Sequence, residues 1–112
     1  MNYRIKLSLE FAKELKRLAK RYRSLKTDVK LLGESLQENP YQGADLGNGL
    51  RKVRMSVTSK GKGKSGGARV ITFTAIIATD TTEILLLTIY DKSERDNITD
   101  SELKALRLKC GI

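Results

Sequence analysis

The stretch Arg69–Tyr90, RVITFTAIIATDTTEILLLTIY, decides the fold. Its two halves, Arg69 to Ala78 and Glu83 to Tyr90, are rich in Val, Ile, Thr and Leu, residues that suit a pleated, half-buried surface. Only the short polar turn Thr79 to Thr82 lies between them, so the two runs read as neighbouring strands of an antiparallel meander. Upstream, from Leu50 to Val57, Val53, Met55 and Val57 alternate with Lys52, Arg54 and Ser56, the period-two pattern of another strand. At the start of the chain Tyr3, Ile5 and Leu7 alternate with Asn2, Arg4 and Lys6 in the same way.

Between these two strands the spacing becomes helical. Phe11, Leu15, Leu18 and Tyr22 follow Ser8, a good N-cap, while Lys13, Lys16, Arg17, Lys20 and Arg21 fill the other face, whose ordinary use is solvation. Leu25, Val29, Leu32 and Leu36 repeat the spacing, giving two helices, or one bent near Ser24, that run to the Asn39-Pro40 stop. Residues 41–50, YQGADLGNGL, hold three glycines and no period, and they read as a loop. Near the end, Thr99-Asp100-Ser101-Glu102 opens a last helix with Leu103, Leu106 and Cys110 on one face. The expected fold is α+β, in the order strand, two helices, three strands, helix. It is a twisted, mainly antiparallel four-stranded sheet with the two N-terminal helices packed on one face and the other face partly open. Residues 1–112 form a single domain with room for one modest core, too small for an ATPase fold.

Lysine and arginine number 22 against 13 aspartates and glutamates, a net charge of +9 that suits a polyanion such as nucleic acid. The distribution says more. Residues 43–77 hold seven basic side chains against one acidic, whereas residues 78–112 hold five against seven, so the central third is the expected contact surface. Cys110 is the single cysteine, which excludes an internal disulfide and a zinc site built on several thiolates; a reducing cytoplasm is the simplest home. Histidine is absent, so acid and base work falls to Lys, Tyr, Arg, Asp or Glu, and no metal or cofactor is expected. Apolar runs such as Ile84 to Leu87 stay far below signal-peptide or membrane-spanning length, so the chain is read as unexported and without a membrane role.

The loop Thr58 to Arg69, TSKGKGKSGGAR, ends in Gly63-Lys64-Ser65, the tail of a Walker A phosphate loop. The position of that motif's first glycine is Thr58, and the preceding RKVRMSV is too charged for the buried strand that feeds such a loop, so no nucleotide cofactor is expected. Lys60, Lys62 and Lys64 alternate with glycine instead, as in a mobile basic finger that follows a phosphodiester backbone. Gly66-Gly67 permit a tight turn and close backbone approach before Arg69. That arginine could hold a phosphate through two hydrogen bonds, or pair with a carboxylate such as Asp91. Lys52 and Arg54, two residues apart, share one side of their strand, either to bind phosphate or as an exposed charged edge. Tyr90 and Lys92 close the fourth strand, where the tyrosine could stack, donate a proton, or sit in the core with a wet hydroxyl.

The basic second strand, then GKGKSGGARVITF and ILLLTIYDKSERDNITDSELKAL, resembles the RelE/HigB group of toxins in the RelE/ParE superfamily of type II toxin-antitoxin systems. The likeness spans nearly the whole chain, including element order, and its most specific part is the glycine-lysine loop leading to G-G-x-R-V-I with Y-x-K-x-E about twenty residues on. It implies the RelE-like fold and a ribosome-dependent endoribonuclease that cuts messenger RNA, restrained by an antitoxin that is often a helix-turn-helix repressor. The implied reaction is metal-free: the ribose 2′-hydroxyl attacks the adjacent phosphorus and the 5′-oxygen leaves. By position, Lys52 and Arg54 match the family's basic second-strand residues, one as base and the other on the phosphate. Arg69 matches the arginine that contacts the scissile phosphate, and Lys92 the basic residue after the fourth strand. Lys62 and Lys64 match the loop lysines of the HigB-like branch, and Tyr90 its tyrosine, for stacking or proton transfer. Clustered cations stabilise a pentavalent phosphorane dianion, so the lack of histidine is no obstacle. It does separate this chain from relatives that use histidine, and Ile98, Thr99 and Asp100 stand where some place a C-terminal catalytic tyrosine. Two other readings remain: a non-catalytic module that holds RNA or a partner, and a gyrase poison of the ParE kind.

Overall fold

In a computed structural model that describes residues 2–112, β4 (Ala68–Ala78) and β5 (Thr81–Asp91) form the expected antiparallel hairpin at the centre of the molecule. β3 (Leu50–Met55) pairs antiparallel with the outer side of β4, and β1 (Asn2–Leu7) returns parallel to β5. The sheet is five-stranded, in the order β1-β5-β4-β3-β2, which corrects the expected four. The added edge strand, β2 (Ala44–Gly47), lies inside the segment read as a loop. Its partner is β3, with Ala44 opposite Lys52 and Gly47 opposite Leu50. Asn48 and Gly49, at φ 56° and 81°, make the turn between them, the left-handed pair that a two-residue hairpin requires. Low strand propensity yields here to pairing with a neighbour.

The helices begin where their caps stand. The Ser8 hydroxyl accepts from the Phe11 amide to start α1 (Leu9–Ala19), and α2 (Leu25–Glu38) follows the break at Ser24. Thr99 and Glu102 form a reciprocal capping box at the start of α3 (Asp100–Cys110). Among the described residues, no helix is long and apolar enough to cross a membrane.

Alternation along the strands divides the apolar side chains between two cores. Val53, Met55, Val70, Ile84, Leu86 and Ile89 face α1 and α2 and pack with Phe11, Leu18, Leu25 and Leu36. Leu50, Ile71, Leu87 and Tyr90 face the other way, where Ile98 and the α3 residues Leu103 and Leu106 cover them. The second face is thus roofed along much of its length, with Arg54 on β3 exposed at its margin and Lys52 half-buried.

Gly67 pins the basic loop to the sheet. A Cβ there would stand 2.1 Å from the Met55 carbonyl oxygen, so no side chain fits without moving the β3 backbone. Gly67→Ala is expected to destabilise the fold by about 1–3 kcal/mol, towards the upper end because the obstacle is backbone. Urea unfolding checks this, and an unchanged midpoint would mean that the turn relaxes freely.

Candidate nucleic-acid interface

The site is built from the register of three strands. Arg54 on β3 lies opposite Arg69 on β4, and Arg69 lies opposite Tyr90 on β5, so the three side chains form one row across the second face. Lys52, opposite Ile71, sits one step along the same face of β3. Strand alternation had already put Lys52 with Arg54; the pairing adds Arg69 and Tyr90 to them.

Arg69 is only 5% exposed, yet it forms no ion pair among the described residues, and the carboxylate of Asp96 acts on it only through its charge. Its guanidinium donates to the carbonyl oxygens of Lys64 at 2.9 Å, Ser65 at 3.1 Å and Ala68 at 3.1 Å. The basic loop therefore orients the arginine through its backbone and leaves the positive charge intact. Arg54, directly opposite, is exposed and makes no ion pair among the described residues. Like charges in register across neighbouring strands oppose folding, so this pairing costs the fold stability that an anion between them would return.

Tyr90 is buried at 4% exposure, and its hydroxyl has no hydrogen-bond partner among the described residues. Burial pushes its phenol up, against the guanidiniums of Arg69 and Arg95, which pull it down; Asp96 adds to the rise. The Arg95 guanidinium lies 5.3 Å from the ring centroid and also pairs with Glu102 of α3. The tyrosine is therefore both a core residue and a protonated group beside Arg69.

Lys92 follows β5 and is tied to the connection into α3. Its ammonium donates to the Asp96 carboxylate at 2.5 Å and to the Asp96 carbonyl at 2.8 Å. Lys52 donates to the Asn97 side chain at 3.1 Å. Asp96 and Asn97 were not anticipated; both sit in the polar run after Tyr90, where no period marks them out. The hydrogen bond from Lys92 holds the Asp96 carboxyl below the usual range, helped by the charges of Lys92, Arg69 and Lys52. Asp96 is thus the acidic counterweight of the cationic row.

The three loop lysines separate. Lys62 and Lys64 are exposed, as a basic finger requires. Lys60 turns inward instead. The 3-10 turn Thr58–Lys60 sends its ammonium to the helix side of the sheet, where it meets Asp91 at 2.7 Å, with side chains only 6% and 2% exposed. Asp91, offered above as a partner for Arg69, belongs to Lys60 and to the Tyr22 hydroxyl at 2.5 Å. Lys60 is therefore structural rather than a free contact. After Ser65 the chain enters a strand and not a helix, so the backbone cradle of a Walker loop does not form.

The free-state structure of a double arginine-to-alanine mutant of E. coli toxin RelE matches this chain with a TM-score of 0.57 at 13% identity. The match covers 86% of this chain and 90% of that one. The fold is accordingly that of RelE, a small α+β toxin. The family model for the RelE toxin of the RelE/RelB toxin-antitoxin system matches residues 10–111. The chain belongs to that toxin family, and membership implies a cognate antitoxin.

Proposed function

We propose that this toxin is a ribosome-dependent messenger RNA endonuclease that acts in the cytoplasm to slow translation. Its substrate is mRNA in the ribosomal decoding site, and its restraint is an antitoxin of helix-turn-helix type. The observation that carries the reading is the row Arg54–Arg69–Tyr90, flanked by Lys52 and Lys92 and lacking neutralising carboxylates other than Asp96. The Arg69 guanidinium binds the scissile phosphate. Lys52, in its neutral form, accepts the 2′-hydroxyl proton, and Arg54, which stays protonated, stabilises charge on the phosphorane. The 2′-oxygen bonds to phosphorus, the P–O5′ bond breaks, and a cyclic phosphate and a free 5′-hydroxyl result. In this reading Tyr90, held protonated, donates to the departing 5′-oxygen once the connection and α3, which cover it, move aside. Incoming phosphates would replace the Lys92–Asp96 and Lys52–Asn97 bonds that hold that connection down.

Expression in bacteria tests the reading. Growth should stop and translated messages should acquire new 5′ ends; intact messages alongside DNA breaks would transfer the protein to the gyrase-poison class. Asp96→Ala is expected to tighten binding of a non-cleavable 2′-O-methyl oligoribonucleotide by about two- to fivefold at low salt, because it releases Lys92 and removes a competing charge. Fluorescence anisotropy measures this. Weaker binding would mean that Asp96 organises Lys92 rather than competing for it.

A further inference from the structure

The outer edge of β3 opens onto a groove that shares Arg54 and Lys52 with the cationic site and extends beyond it. β2 pairs only with Leu50, Arg51 and Lys52, so on the edge away from β4 no described strand lies beside β3 from Val53 to Met55. Two cavities of about 250 and 360 Å³ meet there and share Gln42, Arg54 and Lys64 in their walls. The first continues between α2 and β3, where Leu31, Leu32 and Met55 form an apolar side. Leu31 is 57% exposed, so this side is accessible.

Three kinds of chemistry converge on the groove. Arg54 and Lys64 supply cations with no carboxylate partner among the described residues. The wall's one carboxylate, Asp28, is occupied by the Thr58 amide, the Thr58 hydroxyl and the Ser24 hydroxyl. Gln42 supplies a fixed amide: its Nε2 donates to Ser35 Oγ at 2.9 Å and to the Asn39 carbonyl at 3.1 Å. Both amide hydrogens are then used, and Oε1 is left as an acceptor. Leu31 and Leu32 supply a surface on which a base can lie.

We propose that this groove binds one nucleotide of single-stranded RNA next to the scissile position. Its phosphate sits on Arg54 and Lys64, its base lies against Leu31 and Leu32, and an exocyclic amino group donates to Gln42 Oε1. Arg54 links the groove to the row on the second face, so the strand passes over the β3 edge from one to the other. The inference rests on RNA being the ligand of that row. Its consequence is a base preference: adenine and cytosine, like guanine, carry an exocyclic amino group that can donate to Gln42 Oε1, whereas uracil has only its ring N3–H, flanked by two carbonyl oxygens that the Gln42 oxygen repels.

The test titrates the 15N-labelled protein with 2′-O-methyl hexanucleotides of adenine, cytosine or uracil alone. The Gln42 side-chain signals and the Leu31 and Ser35 amides should move, and the first two oligonucleotides should bind about tenfold more tightly than the third, the size of one base contact. Gln42→Leu should make the three equal, and Leu31→Glu, at an exposed position, should weaken all three. Both variants should keep the free protein's signals for Arg69 and Tyr90. Movement confined to those two residues and their neighbours, or a preference that survives Gln42→Leu, overturns the proposal. The enzyme reading fails separately: uncut messages in cells, with the Gln42 signals still moving, would leave the groove and remove the nuclease.

Discussion

Arg69→Ala is expected to abolish growth arrest and to slow message cleavage by about 10²–10³-fold, the loss that follows when one preorganised donor is taken from developing charge. Three backbone carbonyls already hold the guanidinium, so its direction is set before phosphate arrives. Arg69→Lys keeps the charge but not the planar fork, and it should recover only a small part of the rate. The alanine variant also strips the Lys64 and Ser65 carbonyls of their donor. Water reaches that exposed loop, which places the folding cost near the lower end of about 1–3 kcal/mol for an unsatisfied group. A cleavage assay in a translating extract, read beside a thermal melt, separates the two effects. Cutting at the wild-type rate in a folded Arg69→Ala protein would remove this arginine from the site.

The strands and helices were legible because each carries its own period. Val53 and Met55 against Lys52 and Arg54 gave both the strand and the shared side of its two cations, and the hairpin pairing then brought Arg69 and Tyr90 beside them. β2 was missed because three glycines hide any alternation, although Asn48-Gly49 is a local hairpin signal that could have located it. Lys60 was misplaced for a different reason. Its direction is set by a 3-10 turn and by a carboxylate 31 residues away, and a Gly-Lys alternation contains neither. The cover over Tyr90 is likewise non-local, since Leu103 and Leu106 reach it only through the packing of α3. What the chain spells out locally is therefore the cationic face; what folding adds is the carboxylate that restrains it and the loop that aims Arg69.

The largest effect on stability is expected at Asp91. Its carboxylate accepts from the Lys60 ammonium, the Tyr22 hydroxyl and the Ser93 amide, and it is 2% exposed. Asp91→Ala leaves the Lys60 ammonium enclosed without a carboxylate, held by Ser93 Oγ, the Gly67 carbonyl at 3.4 Å and the Tyr22 ring, whose centroid is 5.3 Å away. Breaking a buried pair in this way costs about 3–5 kcal/mol, whereas replacing both partners by apolar residues recovers most of it, so Lys60→Met with Asp91→Leu should melt well above Asp91→Ala. The pH dependence has a definite sign. Burial by itself raises the Asp91 carboxyl, but the hydrogen bonds from Lys60, Tyr22 and Ser93 and the Lys60 charge outweigh it and bring the group from the ordinary 3.8 down to about 2. Its contribution is complete above 3.8 and disappears as pH falls through about 2, so the wild type should lose stability in that window while the double variant loses less. Urea titrations across the window test this, and parallel curves for the two proteins would show that the pair is not what acid disrupts. The same pair ties the basic loop to the end of β5, and that loop's carbonyls hold Arg69. Asp91→Ala should therefore lower cleavage even at temperatures where the variant is fully folded, with Lys60→Met and Asp91→Leu together restoring stability ahead of rate.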